Sequence, residues 1–302
     1  MDFLILGSLV LAGFLIGILS AMVGIGGGLV TVPVLMFLYG LDNPTSSAIS
    51  TVVIVATSIS GTMTYLKHRR IDLRTGAYFS VIAVPSAFVG GLLADNLPAE
   101  ILTTFFGVLM ILVSLRKVLA IIREKKSSNG GKKDPTAEDP TTEDPTTEDN
   151  SSPPVSYGWV PQSVEERTIV DNEGKRFTYQ VRLRNTLLGA LFGGLIGGML
   201  GVGGGVIFVP VLNSIGGVPP HVAVATSTFT IVFASSSGAV ARILGGKVMF
   251  DYVIALALGS VFGARLGALK VRRIDSQKVL LLFYFIVFLS GVRTILKGLG
   301  YM

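Results

Sequence analysis

Long runs of apolar residues, separated by short polar or basic pieces, dominate both ends of the chain. Because about 20 apolar residues cross the hydrocarbon of a bilayer as a helix, we read Phe3–Ser20, Ser47–Leu66, Thr75–Ala94, Ile101–Ile122, Thr186–Met199, Val222–Leu244, Tyr252–Leu269 and Val279–Leu296 as membrane helices. Two shorter apolar pieces, Leu29–Tyr39 and Val206–Ile215, each follow a cluster of glycines. The period-two alternation of barrel strands is not seen, and a spanning segment in lipid must satisfy its own backbone, so helices are the expected element. Phe3–Ser20 lacks the basic leader of a signal peptide, its early charge being Asp2, and the apolar pattern runs on beyond it. It is therefore expected to stay as a membrane element.

The pattern breaks once, and the break defines three regions: a first membrane block over 1–123, a linker over 124–184, and a second membrane block over 185–302. Residues 134–149 read DPTAEDPTTEDPTTED. Such an acidic Pro/Thr repeat cannot bury enough apolar surface to offset chain entropy, so residues 127–153 are expected to be disordered. Residues 166–184 alternate apolar and polar positions around Asp171-Asn172-Glu173-Gly174, which suggests a small β-hairpin, with an extended linker as the alternative.

The two membrane blocks repeat one another. Gly24-Ile25-Gly26-Gly27-Gly28 runs into an apolar piece with Pro33, and Gly201-Val202-Gly203-Gly204-Gly205 runs into one with Pro210. The offset of 177 carries Ala48, Ser50, Thr51 and Gly61 onto Ala225, Ser227, Thr228 and Gly238, and Arg116 onto Arg293. Charge then orients the copies. The first copy's basic loop, Lys67–Arg70 with Arg74, follows its second element; the second copy's, Lys270 with Arg272 and Arg273, follows its third. Basic loops face the cytoplasm, so the copies are expected to lie in opposite senses. That requires the first element of each to reverse. Residues 3–39 as one helix would reach about 55 Å, far more than a bilayer. The expected fold is thus an all-α polytopic membrane protein of two inverted repeats of about four membrane elements each, the first of each broken at a GxGGG turn. The amino terminus would lie outside and the linker in the cytoplasm, the plan of many transporters with broken helices at the midplane.

Composition sharpens this picture. The chain of 302 residues is 50% hydrophobic and only 15% charged, with a mean hydropathy of +0.67, whereas soluble domains carry about 25% charge. The absence of cysteine excludes disulfides, thiolate metal sites and cysteine nucleophiles, and two histidines (His68 and His221) leave little for a histidine metal centre. The net charge of +6 is not a nucleic-acid signal: residues 124–184 hold 9 Lys/Arg against 12 Asp/Glu, and the membrane blocks hold 16 against 7, which reports orientation.

The glycine clusters carry the chemistry. Gly26, Gly27 and Gly28, and Gly203, Gly204 and Gly205, permit positive φ and leave backbone N–H groups uncovered. A half-helix starting just after each would aim its unpaired donors and positive dipole end into the turn, an anion site without a formal charge. Thr51 and Thr228 in the next element could complete the shell, or could bond their own backbone instead. Arg265 is a candidate substrate contact, with snorkelling to the cytoplasmic surface as the alternative. Ser58–Ser60 and Ser235–Ser237 are read as packing residues. No carboxylate falls mid-span, no GxxxxGK[ST] is present, and no nucleophile–base or metal-ligand cluster appears, so no catalytic residue, metal or cofactor is expected.

Paired GxGGG-x-x-x-x-P motifs, Gly24–Pro33 and Gly201–Pro210, each followed by a Ser/Thr-rich element, resemble the sulfite exporter TauE/SafE family across both membrane blocks. The resemblance implies a multi-pass plasma-membrane transporter that exports small sulfur anions such as sulfite, thiosulfate or organosulfonates. The expected partners are that anion and the lipid bilayer, with homo-oligomerisation left open and no nucleic acid. The residues alone leave two alternatives: an anion channel, or a membrane-embedded enzyme.

Overall fold

The structure, a computed structural model, describes residues 3–23, 26–130, 164–172, 174, 176–270 and 276–298. The acidic repeat 134–149 and the basic residues Arg272 and Arg273 lie outside the described residues. The chain is an all-α membrane bundle with one appended hairpin. Its elements are α1 (Phe3–Val23), α2 (Gly28–Leu38), α3 (Asn43–Lys67), α4 (Leu73–Asn96), α5 (Ala99–Gly130), β1 (Val164–Val170), β2 (Arg176–Arg182), α6 (Leu183–Leu200), α7 (Gly205–Pro210), α8 (Pro220–Leu244), α9 (Phe250–Lys270) and α10 (Ser276–Gly298). Among the described residues, seven helices are long and apolar enough to cross a membrane: α1, α3, α4, α5, α6, α8 and α9. Helix α5 runs to Gly130, four residues into the stretch expected to be disordered.

Local chemistry sets the boundaries. Pro44 sits in the first turn of α3, and Pro220 opens α8, where a missing N–H costs nothing. Asp72 caps α4 by accepting from the Thr75 N–H. The glycines Gly27 (φ 81°) and Gly204 (φ 75°) are left-handed N-caps of α2 and α7. Pro33 is accommodated inside α2, whereas after Pro210 the chain continues as a π-helical segment, Val211–Ile215. Helix α2 folds back along α1: Ser8 Oγ and Tyr39 Oη are 2.8 Å apart, joining the first turns of α1 to the end of α2.

Small residues set the helix pairing. Gly17 packs on Ser260 and Ala264, and Gly267 packs on Ile18, so α1 and α9 run parallel. Gly194 packs on Ala83, and Gly90 packs on Leu195, so α4 and α6 do the same. At all four glycines a Cβ would overlap the facing backbone, the close approach by which helices associate in lipid. Helices α3 and α8 cross antiparallel at the centre, with Gly61 against Thr228 and Gly238 against Thr51. Helices α5 and α10 are also antiparallel, with Gly107 near Gly291 and Gly298 near Thr104. Hydrogen bonds tie these layers together, among them Ser60 Oγ to the Val261 carbonyl at 2.9 Å and Ser237 Oγ to the Val84 carbonyl at 2.8 Å.

The strands β1 and β2 form an antiparallel hairpin that pairs Arg167 with Tyr179 and Thr168 with Thr178. Strand β2 alternates exposed and buried positions, and Tyr179 and Val181 enter a core shared with Phe79 of α4, Phe208 of α7 and Val222 of α8. The hairpin is therefore packed onto the bundle.

Candidate functional site

The glycine clusters meet at the centre of the bundle. Residues Gly26–Gly28 and Gly201–Gly205 are buried, and Gly26, Gly27, Gly201, Gly203 and Gly204 all have positive φ. The two turns touch. A Cβ at Gly28 would overlap the Gly201 carbonyl, and one at Gly26 would sit 3.4 Å from the Val202 carbonyl oxygen. Ser50 Oγ donates to the Gly201 carbonyl at 2.7 Å, which fastens the second turn to α3. Beside the turns stand Ile54 near the middle of α3 and Ile231 near the middle of α8. A Cβ at Gly26 would lie 3.5 and 3.6 Å from them, and one at Gly203 would lie 2.9 Å from Ile54.

The half-helix starts present donors without formal charge, whereas the Gly203 N–H is given to the Gly197 carbonyl at 3.4 Å. The Gly27 carbonyl accepts from the Val30 and Thr31 N–H groups, and the Gly204 carbonyl from Ile207 and Phe208. Helical bonding thus begins at the fourth donor. As N-caps, glycines carry no side-chain acceptor for the donors ahead of it. Buried in low dielectric, such donors and the positive helix end attract an anion more strongly than they would in water.

Ser235 adds a side chain to this centre. It is 3% exposed, and its hydroxyl has no hydrogen-bond partner among the described residues. It lies 3.2 Å from where a Cβ of Gly203 would stand. Leaving a buried hydroxyl unsatisfied costs about 1–3 kcal/mol, so a hydroxyl held this way is ready to donate to a guest. Its counterpart at the 177 offset, Ser58, instead donates to the Val55 carbonyl of its own helix. Spacing along the chain does not separate Ser235 from Ser236 or Ser237; its surroundings do.

The remaining expected site residues divide. Thr51 and Thr228 lie where α3 and α8 cross beside the turns. Their hydroxyls donate to the carbonyls of Ser47 and Val224 at 2.8 Å each, and their methyls pack on Gly238 and Gly61. Arg265 is not brought to the turns. It is exposed on the outer face of α9, beside α1, where it lines a groove of about 620 Å³ with Val10, Leu11, Phe14 and Phe262. Among the described residues there is no group of three or more His, Cys, Asp or Glu that could hold a metal ion.

Comparison with known proteins gives a consistent answer. The family described as sulfite exporter TauE/SafE matches residues 9–294. The chain is 29% identical over 299 residues to the probable membrane transporter protein YunE of Bacillus subtilis, covering 96% of this chain and 97% of that protein. It is 32% identical over 122 residues to a probable membrane transporter protein of Haemophilus influenzae, covering 38% of this chain and 46% of that one. It is 27% identical over 103 residues to the sulfite exporter TauE/SafE family protein 5 of Arabidopsis thaliana, covering 33% and 23%. No solved structure matches.

Proposed function

As this chain belongs to the sulfite exporter TauE/SafE family and is a multi-pass membrane transporter, we propose that it exports small sulfur-containing anions across the plasma membrane by alternating access. Sulfite, thiosulfate and organosulfonates are the substrates we assign to it. The observation that carries this reading is the meeting of two buried glycine turns, Gly26–Gly28 and Gly203–Gly205, beside the unpartnered Ser235 hydroxyl. Backbone donors and one hydroxyl can replace the hydration of an oxyanion without trapping it as a fixed cation would. Thr51 and Thr228 flank the cradle and contribute less, because their hydroxyls already serve their own helices. Arg265 stays outside it.

Alternating access needs two bodies that can rock. The antiparallel crossings of α3 with α8 and of α5 with α10 support an inverted relation between the membrane blocks. So does the match between Ser60–Val261 and Ser237–Val84, which exchange under the 177 offset. The chain has no native cysteine, so single cysteines report sidedness cleanly. Cysteines at Asp42 and Asn96 should react with an impermeant thiol reagent applied outside the cell, and those at Asn150 and Gln180 should not. Labelling of Asn96 and Gln180 from the same side would refute the proposed arrangement.

Transport itself is tested in proteoliposomes with sulfur-35 sulfite, thiosulfate and sulfoacetate. Saturable uptake, accelerated by unlabelled anion preloaded inside, is the expected result. Uptake that never saturates and shows no counterflow would make the protein a channel, and no uptake of any of the three would remove the substrate assignment.

A further inference from the structure

The hairpin does more than cover the bundle. Its tip and its base grip two turns that belong to different membrane blocks. At the tip, Asp171 pairs with Arg70 at 3.5 Å, the Asn172 N–H donates to the His68 carbonyl at 3.3 Å, and the Asn172 side chain donates to the Lys67 carbonyl. These contacts hold the turn between α3 and α4. At the base, the Arg182 N–H donates to the Gly216 carbonyl at 3.3 Å, and Gly217 packs on the Gln180 carbonyl. These hold the turn that leads from the second half-helix into α8.

Asp72 joins the two grips. It is 5% exposed and caps α4: Oδ1 accepts the Thr75 N–H at 3.0 Å, and Oδ2 accepts the Thr75 hydroxyl at 2.6 Å. The same Oδ2 accepts the Tyr179 hydroxyl of β2 at 2.9 Å, and Arg167 of β1 lies 3.5 Å from Oδ1. The Asp72 N–H donates to Thr226 Oγ1 of α8 at 3.1 Å. One residue therefore touches α4 of the first block, α8 of the second, and both strands. Burial, and then the Asp72 charge, push the Tyr179 phenol far above its ordinary range, so it remains a donor at any physiological pH.

The hairpin is also joined to the centre by packed side chains. Tyr179 and Val181 begin a continuous buried cluster that runs through Phe79 and Phe208 to Ile54 and Ile231, the residues beside the glycine turns. At this end of the column the hairpin holds both the α3–α4 turn and the Gly216–Pro219 turn. At the opposite end of α8 the ties are Arg242 to Asp95 and to the Met199 carbonyl, with no hairpin involved.

We propose that the β1–β2 hairpin is a latch that holds the transporter shut on its own face, with Asp72 as the catch for Arg167 and Tyr179. The latch rests on the alternating-access reading above, since it governs which side the centre opens to. Releasing it favours the state open to the hairpin face, and holding it closed stops the cycle.

The test uses the full chain with one cysteine, Ile54→Cys, beside the turns. In membrane vesicles of each orientation, an impermeant thiol reagent reports access from one face at a time. Tyr179→Phe with Arg167→Gln should raise the labelling rate from the hairpin face at least about five-fold and leave the rate from the opposite face unchanged or lower. An unchanged rate from the hairpin face would overturn the latch, and an equal rise from both faces would show general loosening instead. A second variant, Arg70→Cys with Asp171→Cys bridged by a reducible bifunctional thiol reagent, should lose transport and regain it on reduction. Full transport in the bridged protein would also overturn the latch. The labelling arm uses no substrate, so a latch that behaves as expected in a protein that moves none of the proposed anions would refute the substrate and leave the latch standing.

Discussion

Gly26→Ala should lower anion affinity by at least about 100-fold and bring transport close to zero, while the protein still inserts and folds. At φ +86° alanine is strained, but its Cβ would meet the Val202 oxygen, Ile54 and Ile231 only at 3.4–3.6 Å, ordinary contact distances. The methyl therefore fits where the two turns face each other and would occupy space that the proposed anion site uses. Losing about two hydrogen bonds to a charged group is worth roughly 3–6 kcal/mol, so 100-fold is the lower end of the expected loss. Gly203→Ala should lose affinity as well, with more strain, because its Cβ would lie 2.9 Å from Ile54. Gly40→Ala and Gly246→Ala are the controls: φ is +68° and +71°, and no described residue lies within 4 Å of either Cβ, so they carry backbone strain of about 1–2 kcal/mol without touching the centre. Substitutions at Gly204 are less informative, since a Cβ there would strike the Phe208 ring and the Gly193 carbonyl at 2.6–2.7 Å and disturb packing first. Binding measured per folded molecule decides the matter. Equal affinity in Gly26→Ala and Gly40→Ala would mean that the turn is packing and not a cradle.

Arg242→Ala should be among the most destabilising single changes in the bundle. Arg242 is fully buried near the end of α8, 3.0 Å from Asp95 of α4, 2.5 Å from the Ser47 hydroxyl of α3 and 2.7 Å from the Met199 carbonyl of α6. One guanidinium thus joins four helices. Removing it leaves the Asp95 carboxylate, only 15% exposed, facing a cavity with Lys247 at 3.9 Å as its remaining cation among the described residues. Breaking a buried pair from one side costs about 3–5 kcal/mol, enough to lower the unfolding midpoint in detergent by on the order of 10 °C. Arg242→Met with Asp95→Asn should recover part of that loss, because the orphaned charge goes with its partner. A midpoint unchanged in Arg242→Ala would show that the cluster is not holding these helices together.

Much of the fold was legible because lipid imposes a simple rule, that a crossing segment is apolar and helical. The boundaries were less so. Helix α3 starts at Asn43, four residues before the apolar run, since Pro44 favours a first turn whatever the polarity around it. Pro33 and Pro210 stand at equivalent positions, yet only the second is followed by a π-helical turn, a difference the repeat pattern does not show. The glycine turns could be read directly, because a need for positive φ at a close approach is written as glycine. Arg265 lies away from the turns for an identifiable reason. Gly259, Gly263 and Gly267 recur every four residues and mark the face of α9 that packs on α1, and Arg265, two places off that row, goes to the outside. The ties between Arg242 and Asp95 and between Tyr179 and Asp72 join residues more than a hundred positions apart, beyond the reach of any local pattern. Ser235 is a matter of orientation, and three consecutive serines carry no signal of which one faces inward.

The central claim is that backbone donors at the paired glycine turns hold the anion. Selenite replaces the sulfur of sulfite with an atom that can be located by anomalous diffraction. Crystals of the protein soaked in selenite should show one anomalous peak within about 4 Å of the Gly203–Gly205 and Gly26–Gly28 amides and close to Ser235 Oγ. A peak in the outer groove at Arg265, or none at concentrations that saturate transport, would contradict the account.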